Sequence, residues 1–261
     1  MKDTYGAHVS VALDGRHVAI VEIDAPPHNF ANVEMIRGLA EALEALDLEN
    51  DCRAVVLAAT GKSFCAGADL GGSAGLGAGG MPAIRELYEN GIRLFATQKP
   101  IVAAIQGAAV GAGLGLAMIA DFRVAAPEAR FTANFVKLGF HPGFGLTETL
   151  PRAIGRQRAA LLFLTGRRIK ADQALEWGLA DQVVPLQELR TAAGALAREI
   201  AENAPLAVVA TRETIRGDLA GLVRARTAIE FEKQSMLRVT DDYAEGVLAV
   251  AERRPGNFAG R

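Results

Sequence analysis

Three observations predict an α/β fold followed by a helical C-terminal region. Apolar runs of strand length, such as RHVAIVEI, RAVVLAAT and IVAAI, alternate with helical patterns as far as Gly145. Two of these runs lead into turns made almost wholly of Gly and Ala, SFCAGADL and QGAAVGAGLGL. Beyond Gly145 the hydrophobic spacing is nearly all helical.

Taken in order, HVSVAL and RHVAIVEI alternate apolar and polar residues and meet at Asp14-Gly15, a hairpin signal. DAPPHNFAN follows as a loop, because two prolines and an asparagine pair stop the second strand. Val33, Ile36, Leu39, Ala40, Leu43 and Leu46 repeat at helical spacing, so the chain from Val33 to Leu48 is an amphipathic helix. RAVVLAAT (53–60) is then a buried strand and GKSFCAGADL a loop. The charge-free stretch GGSAGLGAGG (71–80) is either a linker from strand to helix or a lid over a site. Pro82 opens a helix to about Thr97, since proline is tolerated in a first turn. IVAAI and FRVAA are strands on either side of the Gly-Ala stretch. TETLPRAIG, RQRAALLFLTG, KADQALEWGLA and three longer segments to Arg254 are helices.

Composition narrows the function. The chain has 261 residues, 50% of them hydrophobic, which can bury a substantial core. A formal charge of −2 offers no footprint for nucleic acid or an acidic membrane surface. Cys52 and Cys65 make neither a disulfide framework nor a CxxC site. The first twenty residues lack a signal-peptide pattern, and no apolar run is long enough to span a bilayer. A cytoplasmic protein without membrane or nucleic-acid partners is the expectation.

The glycines at 111, 113 and 115 do not form a nucleotide fingerprint. Their spacing is G-x-G-x-G, they lie mid-chain, and Asp121 arrives too early for a ribose ligand. No Gly-Lys-Ser/Thr follows them, and there is no Cys/His metal spacing or G-x-S-x-G elbow. Considered together, the two Gly-Ala turns each end a strand where free N–H groups point out of a first helical turn. Brought side by side, they offer two convergent donors, the elements of an oxyanion hole.

SFCAGADL, KPIVAAIQGAAVGAGLGLAMIADFRVAA, ARF, LTGRRIKADQALEWGLADQVV and ERRPGNF resemble the enoyl-CoA hydratase/isomerase (crotonase) superfamily, over nearly the whole chain. The resemblance implies a crotonase-like α/β spiral of ββα units across 1–200, carrying an acyl-CoA site. It also implies a helical oligomerisation region across 201–261, assembling a homotrimer or a dimer of trimers. Coenzyme A thioesters are then substrates, and no resident cofactor or metal is implied. By position, the oxyanion donors are the N–H groups of Ala68 and Ala112. Pro27, His28 and Asn29, with Cys65, Ala66, Asp69 and Leu70, match the wall that receives the coenzyme. Arg253 matches a basic position that in some members reaches nucleotide phosphates of a neighbouring subunit.

The pattern departs from the family at its acids. The two hydratase glutamate positions fall on Gly115 and Phe135. Each acid or base typically contributes about 10²- to 10⁴-fold and an oxyanion donor about 10²- to 10³-fold. Thioester binding and enolate stabilisation are therefore expected to outlast ordinary hydration. Four side chains are candidate replacements. His141, in GFHPGFG, ranks first, because histidine is the side-chain type most often used as acid or base. Tyr88 matches a helix position where some members carry a histidine, Glu148 lies about two turns beyond His141, and His28 lies beside the coenzyme wall. The position of a dehalogenase nucleophile falls on Gly143. Phe135 and Phe140 suggest an apolar acyl pocket. The reactions in view are hydration by an atypical base, decarboxylation of a malonyl-type thioester and thioester hydrolysis. A non-catalytic acyl-CoA binder is the alternative class.

Overall fold

The computed structural model describes residues 3–68 and 76–261. The chain opens with β1 (Thr4–Tyr5), β2 (Val9–Leu13), β3 (Val18–Ile23) and α1 (Val33–Leu48). Three strand pairs follow: β4 (Ala54–Ala59) with β5 (Ser63–Cys65) before α2 (Leu76–Phe95), and β6 (Ile101–Ile105) with β7 (Ala108–Val110) before α3 (Ala112–Ala117). The third is β8 (Phe122–Ala125) with β9 (Arg130–Thr132), then a 3-10 turn at Phe135–Leu138 and α4 (Leu146–Ile154). The remainder comprises α5 (Arg156–Thr165), β10 (Arg168–Lys170), α6 (Ala171–Trp177), β11 (Gln182–Val183) and α7 (Leu189–Ala201). Helices α8 (Pro205–Arg216), α9 (Leu219–Leu237) and α10 (Asp241–Ala251) complete it.

Seven strands form one sheet in the order β1-β2-β3-β4-β6-β8-β11, and four form a second in the order β10-β9-β7-β5. Each of the three pairs gives its first strand to the large sheet and its second to the small one. This is the ββα spiral of the crotonase-like fold. The first three strands are antiparallel, while β3, β4, β6, β8 and β11 run parallel.

Local chemistry explains the framework. Asn32 caps α1 through its side chain, which accepts from Met35 N at 2.8 Å, and the helix buries Met35, Ile36, Leu39, Leu43 and Leu46. Strands β4 and β6 are buried on both faces. Val55 and Leu57 face the main core, while Ala54, Val56 and Ala58 face a second cluster closed by Leu189, Ala193 and Ala197 of α7. Two arginines bind α8 to the sheet: Asp121 accepts from Arg212 and from Arg216 at 2.8 Å each, and from Ile101 N.

Three sequence expectations change here. Ser63–Cys65, expected as loop, is a strand, since three residues carry no readable period and pairing with β7 decides their form. Strands β9, β10 and β11 escape the pattern for the same reason. Residues 71–75 of GGSAGLGAGG lie outside the described residues, but 76–80 belong to α2, which breaks at Gly80 before Pro82. In the C-terminal region, α9 packs on α2 and α4, and α10 packs on the 135–138 turn.

Candidate active site

Strands β5 and β7 are parallel neighbours, with Cys65 opposite Ala109, so the turns that follow them leave the sheet side by side. The two turns are pressed together. A Cβ on Gly113 would lie 2.0 Å from Cys65 O, a backbone contact that only glycine permits. The first turn is also tied to the 28–31 loop, because Ala66 N donates to His28 O at 3.1 Å and Ala31 N to Gly67 O at 2.8 Å. Ala68 N–H makes no hydrogen bond to a described residue. Ala112 is the first residue of α3, so its N–H has no acceptor within the helix.

Both alanines line a cavity of about 410 Å³. Ile84, Leu87 and Tyr88 of α2 form one wall, Phe135, Phe140 and Phe144 another, and Val247, Val250 and Ala251 of α10 a third. Among the described lining residues, the polar side chains are Tyr88 and Asn134. An apolar cleft with two backbone donors and little side-chain polarity can bind an acyl group and polarise its carbonyl.

The ring of Phe144 lies where a side chain from Gly115 would go. A Cβ there would meet Phe144 Cδ1 at 2.5 Å and its Cβ and Cγ at 3.0 Å. Gly115→Glu is therefore expected to overpack α3 against Phe144 and cost about 1–3 kcal/mol. A urea melt of the variant against wild type checks this. In a double-mutant cycle, Gly115→Glu should cost less in a Phe144→Ala background than in wild type, because the overpacked ring is gone.

Below Phe144 lies a buried polar network. Tyr88 Oη donates to Gln234 Oε1 at 2.8 Å, and Gln234 Nε2 donates to His141 O at 2.8 Å. Burial, aided by the charge of Glu230, pushes the Tyr88 hydroxyl far above its usual range, so it stays protonated. Glu230 of α9 is fully buried and accepts from Gly145 N (2.8 Å), Thr147 N (2.9 Å) and Thr147 Oγ1 (2.6 Å). Desolvation raises its carboxyl, against those hydrogen bonds and the His141 charge.

The structure brings together Ala66, Ala68, Tyr88, Ala112 and Phe135 on the cavity wall. His141, ranked first as acid or base, is not among the lining residues: its Nδ1 is 2.7 Å from Pro142 O, folded against its own backbone. Asn29 is buried with its amide committed to Ala25 N, Thr60 O and Ser63 O, so its side chain locks the loop and is not free for coenzyme. Cys65 is fully buried, and desolvation pushes its thiol up to about 11, leaving only its backbone near the site. Pro27, His28 and Arg253 are exposed and outside the lining, with His28 stacked edge-on against Phe30 at 5.4 Å. Glu148 pairs with Arg152 and Arg226 away from the cavity. Asp69 and Leu70 lie outside the described residues. Sequence reasoning missed Phe30, Ile84, Leu87, Asn134 and Phe144 as lining residues. The helical spacing of Ile84, Leu87 and Tyr88 is a signal that could have marked a buried face of α2, but not the cavity it borders.

The profile of the family described as enoyl-CoA hydratase/isomerase matches residues 14–261. Probable enoyl-CoA hydratase EchA14 of Mycobacterium tuberculosis is 41% identical over 210 residues, covering 77% of this chain and 78% of that protein. The 1,2-epoxyphenylacetyl-CoA isomerase of Escherichia coli is 34% identical over 238 residues, covering 89% and 91%. Among solved structures, carnitinyl-CoA hydratase from Mycobacterium avium superposes with a TM-score of 0.85 at 31% identity, covering the whole of both chains. The chain belongs to the enoyl-CoA hydratase/isomerase family. It is an acyl-CoA-processing enzyme of that family.

Proposed function

We propose that the chain binds an acyl-CoA thioester with its carbonyl oxygen between the N–H groups of Ala68 and Ala112, and stabilises an enolate or oxyanion there. One observation carries this reading: two tightly apposed turns place both residues on the wall of one apolar cavity, with neither N–H committed to a described residue. No carboxylate or imidazole is among the described lining residues, which favours chemistry that starts without a strong base. Decarboxylation of a malonyl-type thioester fits. The bond to the carboxylate breaks, its electron pair becomes the enolate double bond as the carbonyl π pair moves to the oxygen held by the two donors, carbon dioxide leaves, and solvent water protonates the enolate carbon. Thioester hydrolysis is the second reading, favoured by the same donors.

The deciding experiment offers the purified protein crotonyl-CoA, a malonyl-type CoA and a saturated acyl-CoA. Turnover of the malonyl-type thioester alone is expected. Turnover of crotonyl-CoA alone would overturn the decarboxylation reading, and binding of all three without turnover would make the chain a binder.

Tyr88, on this reading, orders the cavity wall and does not pass a proton, because its hydrogen is held by Gln234. Tyr88→Phe should leave kcat within about threefold, yet lower stability by about 1–2 kcal/mol because Gln234 Oε1 loses its buried donor. A drop of 10² or more in kcat would make Tyr88 the proton donor.

The same reading assigns assembly to residues 201–261. Leu206 (85%), Ile215 (77%) and Val239 (87%) are exposed on this region, apolar surface suited to a homotrimer or dimer of trimers. Arg253, exposed after α10, would reach coenzyme phosphates in such an assembly. Sedimentation velocity measures the state directly; a monomer at micromolar concentration would end this part of the proposal.

A further inference from the structure

We propose that Phe144 sets the depth of the acyl cavity and so confines this chain to compact acyl groups. The inference rests on the acyl-CoA reading above and names its substrate class. Ile84, Leu87 and Tyr88 share one face of α2 and line the cavity. Gly91 is the next residue on that face, and it does not line the cavity. The Phe144 ring covers it. A Cβ on Gly91 would lie 3.0 Å from Phe144 Cζ and 3.1 Å from Cε2.

Gly115 of α3 holds the other end of the same side chain, as described above. The ring is thus clasped between two glycines from two helices, with its edge set against Tyr88 at 6.3 Å and 83°. Phe144 is 2% exposed, yet it has a left-handed backbone with φ of 60°. That conformation is unfavourable for a bulky side chain and persists only where the surroundings impose it. Here Gly145 and Thr147 impose it from the C-terminal side, through their hydrogen bonds to Glu230.

Two residues without side chains lie behind the ring. Cutting it back moves the cavity floor to Gly91 and Gly115 and lengthens the space by about one helical turn, ~5 Å. Room for further methylenes then opens along α2, on a surface that is already apolar. The natural ring denies that room, so a long acyl tail meets the Phe144 face and stops.

The test compares wild type, Phe144→Leu and Phe144→Ala. Binding of acetyl-, butyryl-, hexanoyl- and octanoyl-CoA is measured by calorimetry, with circular dichroism to verify the fold. Wild type is expected to favour the shorter chains. In Phe144→Ala the octanoyl-to-acetyl affinity ratio should rise about tenfold or more, with Phe144→Leu in between. If Phe144→Ala does not fold, Phe144→Leu decides with its smaller outward shift. An unchanged length profile, or uniform weakening of every thioester, overturns the depth role while wild-type binding upholds the acyl-CoA reading. Wild-type protein that binds none of the four overturns the acyl-CoA reading, and the depth role with it.

Discussion

Ala112→Pro is expected to lower kcat/KM by about 10²- to 10³-fold, on whichever thioester the wild type turns over, with little change in thermal stability. Proline at the first position of a helix is well tolerated, because its fixed φ suits the helix and the missing N–H has no partner there. Ala112 is the first residue of α3, and the hydrogen bond that closes that turn, Gly115 N to Gly111 O at 3.0 Å, does not involve its N–H. The substitution therefore removes one proposed donor while keeping the turn. Ala112→Gly keeps the donor and should remain close to wild type. If the proline variant kept full activity and the same melting temperature, Ala112 would have no part in holding the oxygen.

Removing the Glu230 carboxylate is expected to be the most destabilising single change to a buried polar group near the site. Glu230→Ala leaves Gly145 N, Thr147 N and Thr147 Oγ1 without their acceptor. At about 1–3 kcal/mol for each unsatisfied group, less where water enters, the loss should total about 3–5 kcal/mol. In a chain of this size that lowers the melting temperature by roughly 10 °C. The pH dependence has a definite sign. Because burial raises its carboxyl, native Glu230 holds its proton to higher pH than the unfolded chain does. Its contribution to stability is thus fullest below the ordinary carboxyl range and declines as pH rises towards the raised native value. Glu230→Gln should flatten this part of the profile and cost less than alanine. Urea unfolding between about pH 4 and pH 8 measures both effects. Stability that rises with pH in wild type, and equally in Glu230→Gln, would contradict this account.

Such a role for Glu230 was not legible in the sequence. It sits in AIEFEKQSML among other charged residues, and nothing in the spacing distinguishes it from a solvated helix face. Its three donors come from the start of α4, far away in the chain. Phe144 was hidden in the same way: GFHPGFG reads as a loop, and only folding sets its ring between Gly91 and Gly115. His141 shows the converse. Its residue type and neighbourhood recommended it as an acid or base, but the side chain's direction, which no pattern records, turns it to Pro142 O.

Other features were legible because they are local. Helix α1 spans Val33–Leu48 as its periodicity requires, the Asp14-Gly15 hairpin joins β2 to β3, and the long apolar runs became β4 and β6. Side-chain identity also belongs to the sequence alone, so Gly115 and Phe135 needed no coordinates to be named. The two Gly-Ala turns could be matched from their composition. Tertiary structure decided that they touch, that Gly113 must be glycine to let them, and which side chains border the cavity between them. Those outcomes depend on contacts between distant segments, whose geometry is set by packing and not by the order of neighbouring residues.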